Sequence, residues 1–120
     1  ATDDQARVFY MDFLRDVPAK KLHANMRKLM DDATPADASD ALKQQVDEFV
    51  SIFNEDGKKG RRAEVRYVPG TGLTVLVDGR QRGPVFPGAE FANVVFATWF
   101  GKKACCPDLL EDVRNTCKGL

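Results

Sequence analysis

The chain is patterned first by two-residue alternation, then by helical spacing, and the switch points divide it into elements. Val8–Leu14 (VFYMDFL) is dense in apolar residues on both sides, which predicts a strand covered on both faces. Pro18 stands where a helix begins, and Leu22, Met26, Leu29 and Met30 follow at helical spacing until Thr34-Pro35 breaks the pattern. A second helix runs from about Asp37 to Phe53, with Leu42, Val46, Phe49, Val50 and Phe53 on one stripe. The polar run Asn54–Arg61 is a loop, followed by a strand over Arg62–Val68 and a Pro69–Gly72 turn. Leu73, Val75 and Val77 alternate as a half-buried strand, and Asp78-Gly79 supplies a two-residue hairpin turn. Pro84 and Pro87 bracket a short or edge strand, because proline cannot donate to a ladder. Helix Ala89–Phe100 carries Phe91, Val94, Val95 and Thr98 on one side, with Gly101 at its C-cap position. A last helix is predicted from Pro107, with Asp108 and Glu111 in its first turn and Lys118 in its last. The order β-α-α-β-β-β-α-α predicts an α+β fold, helices packed on one face of an antiparallel sheet.

Composition narrows this little. A length of 120 residues fits one domain with one core, and 43% apolar content argues against disorder. Eighteen basic and eighteen acidic side chains cancel, so net charge implies no nucleic-acid partner. No apolar run approaches the roughly 20 residues that a membrane span needs, which predicts a soluble protein. No signal-peptide pattern opens the chain; for a bacterial protein, an exported or periplasmic location with the leader removed is compatible with this.

Candidate chemistry is sparse. Cys105, Cys106 and Cys117 are odd in number, two are adjacent, and no CxxC pair occurs, so buried or half-exposed thiols at helix ends are favoured over a zinc site or a disulfide framework. A single Cys117 bridge to Cys105 or Cys106 stays open. His23 has a reference pKa near neutrality but no matching Ser, Cys or carboxylate motif, and reads as a surface or boundary residue. Lys58, Lys59, Arg61 and Arg62 could touch phosphates, yet without interleaved aromatics they read as a solvated loop. Arg7, Arg15 and Arg66 sit on or beside strands with Tyr10 and Tyr67. An arginine there that points inward would mark an anionic-ligand site, and alternation does not fix the face.

Taken together, VFYMDFLRDVPAKKL (Val8–Leu22), FVSIF (Phe49–Phe53), VRYVPGTGLTVLVDGRQRG (Val65–Gly83) and FANVVFATWFGKKACCPDLLEDV (Phe91–Val113) resemble the chalcone isomerase-like domain, especially its bacterial branch. The resemblance implies an open-faced β-sandwich, with an apolar cleft between sheet and helices and no cofactor. It also implies that residues 1–120 are a single domain equivalent to the C-terminal two-thirds of the family's. The preceding third would supply the arginine and one threonine that act in true chalcone isomerases, which close a chalcone's ring to a flavanone. The family's catalytic tyrosine falls on the helix reading AKKLHANMRKLM, where Leu22 or His23 stands instead. Thr98 is the one match to a family active-site position, and its hydroxyl could equally bond a backbone carbonyl of the preceding turn. These residues imply a non-catalytic domain that binds a fatty acid or flavonoid-like ligand, with Thr98, Trp99, Val95, Met26, His23 and Tyr10 as candidate ligand contacts. Two further readings stay open: an intramolecular lyase of the chalcone isomerase type, and a structural module completed by another copy, another chain or an N-terminal segment.

Overall fold

A computed structural model describes residues 6–100 and 113–119, without the side chains of 98–100 and 113–119. The elements in chain order are β1 (Arg7–Phe13), α1 (Ala19–Ala33), α2 (Asp40–Ile52), β2 (Arg62–Val68), β3 (Gly72–Val77), β4 (Arg80–Phe86), α3 (Ala89–Phe100) and β5 (Val113–Gly119). Among the described residues, five strands make one antiparallel sheet in the order β4-β3-β2-β1-β5.

The α+β class and the one-sided helical cover are as the sequence predicts. The final element is different. Residues 113–119 form a strand that pairs with β1 from Phe13↔Val113 to Arg7↔Gly119, where the charge pattern predicts the end of a helix. Charges matched to helix ends contribute only about 0.3–1 kcal/mol each, which a complete ladder along β1 outweighs. The predicted start of that helix, the Gly101 cap, Cys105 and Cys106 lie outside the described residues. Cys117 stands on β5 opposite Phe9, in a strand rather than at a helix end.

Register determines the core face. Phe9, Met11 and Phe13 align with Val65, Ala63 and the start of β2, and these continue to Val75 and Val77 on β3. This surface meets Leu22, Met26 and Met30 of α1, Leu42, Val46, Phe49 and Val50 of α2, and Phe91, Ala92, Val94, Val95 and Phe96 of α3. Phe49 is the hub. Its ring lies 5.3 Å from Phe53, 6.0 Å from Phe86 and 5.7 Å from Phe91, each in edge-on geometry. One side chain of α2 thereby ties together the α2 end, β4 and α3.

The opposite sheet face carries Tyr10, Asp12, Glu64 and Arg66, half-buried or exposed. The sequence predicts β1 to be covered on both sides, but only its Phe9 side reaches the core; Val8 is buried on the other face, outside that cluster. β4 is the edge strand that Pro84 and Pro87 predict, and its pairing with β3 shifts between Leu73 and Val75. The hairpin turn is formed by Asp78 at φ 51° and Gly79 at φ 80°. Positive φ at both central positions gives the turn whose twist matches the flanking strands.

Candidate functional site

A cavity of about 390 Å³ opens where β1 and β3 end and β2 begins, beneath the start of α1 and the end of α2. Its walls come from three layers. Phe13, Ala63 and Val77 project from the sheet, Leu22 from α1, and Ile52 and Phe53 from the end of α2. Ala63 and Val77 are register partners, so the floor is a pair of small or branched side chains between larger ones.

The loop 53–61 forms the remaining wall, and its attachment follows from specific residues. Val17 and Gly57 exchange both backbone hydrogen bonds, at 2.7 and 2.8 Å. Gly57 packs directly on the Phe13 ring, and a Cβ there would collide with it. Pro18 caps α1 without a side-chain acceptor of its own. The Asp56 carboxylate takes that role from the loop, accepting the Ala19 N–H at 2.7 Å. Asp16 Oδ1 returns the link by accepting the Lys59 N–H at 2.8 Å. A loop that reads as solvated in the sequence is therefore fastened at both sides.

Charged groups ring the mouth in pairs. Arg82 meets Glu55 at 3.1 Å, Lys58 meets Asp56 at 3.6 Å, and Arg61 meets Asp78. The Arg61 guanidinium, and after it the Arg62 backbone N–H, hold the Asp78 carboxyl below the usual carboxylate range. The same hydrogen bond raises Arg61 further above its already high value. Arg62 turns to the other sheet face, where it pairs with Asp12 at 2.6 Å and covers the Tyr10 ring at 4.4 Å. The basic cluster of the sequence is thus neutralised residue by residue, with only Lys59 absent from these pairs.

Of the six residues singled out in the sequence, the four with described side chains lie apart. Val95 and Met26 are buried members of the core cluster, on α3 and α1. His23 follows Leu22 on the solvent side of α1 and is exposed. Tyr10 is on the face away from the helices. Thr98 and Trp99 belong to the last turn of α3, and their side chains lie outside the described residues. None of the four with described side chains lines the cavity. Sequence reasoning gave Ala63, Ile52 and Gly57 no site role and placed Val77 only as an alternating strand residue. It did single out Leu22, which stands in the cavity wall.

A family model described as chalcone isomerase-like matches residues 1–112. The chain belongs to the chalcone isomerase-like family. No curated protein sequence matches it. Among the described residues no cluster of His, Cys, Asp and Glu could hold a metal ion, and no helix is long and apolar enough to cross a membrane.

Proposed function

We propose that this chalcone isomerase-like protein is a non-catalytic binder of a small apolar ligand of the fatty-acid class. The observation that carries the reading is the cavity of about 390 Å³ with six apolar side chains from sheet and helices at its base and paired charges at its mouth. Its size falls within the roughly 300–1,000 Å³ of small-molecule sites, and an apolar base with a few polar groups at the entrance suits an amphiphile. The tail removes water from Phe13, Leu22, Ile52, Phe53 and Val77. The carboxylate meets Arg61 or Arg82, exchanging with Asp78 or Glu55 at the surface, where exposed ion pairs are weak.

The apolar base also argues against turnover there. Ring closure needs groups that order water and stabilise a developing enolate. Leu22, which stands near where the family's catalytic tyrosine falls, presents only methyl groups. The described lining residues include no histidine, cysteine or tyrosine. Native mass spectrometry with laurate tests the reading. One laurate per chain, lost when Val77→Trp fills the floor, is the expected result. Failure to bind laurate, or turnover of a chalcone to one flavanone enantiomer above the spontaneous rate, would overturn it.

A further inference from the structure

Basic and acidic side chains cancel over the whole chain but not over its two ends. Three segments meet around the cavity mouth: residues 12–21, where β1 ends and α1 begins, 54–62 after α2, and 78–82 at the hairpin turn. Together they carry nine basic and five acidic residues. Residues 31–43, where α1 ends and α2 begins, carry four acidic residues and one basic. Four of the mouth's carboxylates are taken up by Arg61, Arg62, Arg82 and Lys58, and the fifth, that of Asp16, accepts the Lys59 N–H. Lys20, Lys59 and Arg80 stand exposed at this end, in none of these pairs. Helix α1 shows the same polarity at its own expense. Lys20 and Lys21 fall in its first turn, which has no acidic residue, and Asp31 and Asp32 in its last, which has no basic one. The helix dipole favours the reverse at both ends, so this arrangement costs stability. A local rule broken in this way, without a gain inside the fold, is expected where a surface serves a partner. Leu14, 40% exposed beside Arg15, adds an apolar side chain to the same end.

We propose that this end of the molecule docks on an anionic lipid bilayer, with the cavity mouth against the headgroups. The proposal rests on the reading of the cavity as the holder of an apolar amphiphile, a ligand that partitions into bilayers. Anionic headgroups attract the basic end over a range of about 8 Å at physiological salt and repel the acidic end. The two effects together turn the mouth towards the lipid before contact. Leu14 then enters the headgroup boundary with cations on either side of it, the arrangement that interfacial segments use. The exposed ion pairs of Arg61 and Arg82 are weak enough to exchange their carboxylates for lipid phosphates. A nucleic acid would use the same cations, but neither Leu14 nor an apolar cavity opening among them serves it.

Vesicle flotation of the intact protein tests docking by itself, with no laurate present. Vesicles of phosphatidylcholine with one part in three of phosphatidylglycerol are compared with phosphatidylcholine alone. Binding is expected to the anionic vesicles only, and to fall steeply as salt rises. Lys20→Gln, Lys59→Gln and Arg80→Gln should each weaken it about fivefold, and on the order of 100-fold together. Lys43→Gln makes the same charge change at the acidic end and should leave binding unchanged. Lys20→Gln also removes a cation from a helix start, so its Tm should not fall, which separates docking from folding. Leu14→Ser should weaken binding severalfold, whereas Val85→Ser, 39% exposed at the far end of the sheet, should not. Equal binding to phosphatidylcholine alone, or equal losses in Lys20→Gln and Lys43→Gln, would overturn the proposal. Retention of duplex DNA at salt concentrations that release the vesicles would assign the surface to nucleic acid and overturn it too. Docking without laurate binding would sink the ligand reading and leave the lipid surface standing; laurate binding without docking would overturn the lipid surface alone.

Discussion

Removing the Asp56 carboxylate tests how the cavity wall is fastened. Asp56 lies in the loop after α2, yet its Oδ1 accepts the Ala19 N–H at the start of α1, a helix whose N-cap residue is a proline. Replacing an N-cap acceptor by alanine costs about 1 kcal/mol. Losing a negative charge at a helix N-terminus adds a few tenths, up to about 1 kcal/mol. The partly exposed contact with Lys58, at 3.6 Å, adds almost nothing. Asp56→Ala should therefore destabilise the protein by about 1–2 kcal/mol, roughly 4–8 °C in Tm for a chain of this size. Far-ultraviolet circular dichroism during thermal unfolding measures it. Asp56→Asn retains the acceptor and should recover most of the loss, while Lys58→Ala should stay within about 0.5 kcal/mol of wild type. Laurate affinity should fall in Asp56→Ala alone, because the loop is also the cavity wall. Equal effects of Asp56→Ala and Lys58→Ala, or none from either, would refute the capping argument.

Phe49→Ala should cost about 3–5 kcal/mol in denaturant unfolding, since it empties the centre of a cluster joining α2, β4 and α3. Gly57→Ala should destabilise by about 1–3 kcal/mol through collision with the Phe13 ring, and Phe13→Leu in the same chain should relieve part of that loss. Asp78 is held below its ordinary range in the folded state, chiefly by Arg61, so its contribution is present in full above the unfolded value near pH 4 and is lost as pH falls through the lower folded value. Asp78→Asn, which keeps the positive-φ turn, should flatten the acid limb of stability against pH, with its loss of stability relative to wild type largest at neutral pH and vanishing in acid.

Most of the fold was legible because its segments announce themselves by period and punctuation. The helix at Ala89–Phe100, the strand at Arg62–Val68 and the Asp78-Gly79 turn fall where the pattern places them. Residues 113–119 did not, because Pro107, Asp108, Glu111 and Lys118 mimic helix ends while Val113 and Thr116 are equally at home in a strand. Long-range pairing with β1 decides that case. The site was less legible. The cavity is defined by what Ala63 and Gly57 lack, and missing volume leaves no periodic trace.

The most direct test of the binding account is an isotope-filtered NOE experiment on labelled protein with unlabelled laurate. The account predicts contacts from the laurate chain to the methyl groups of Leu22, Ile52 and Val77 and to the Phe53 ring. An absence of contacts at saturation, or contacts confined to Val95 and the α3 face, would contradict it.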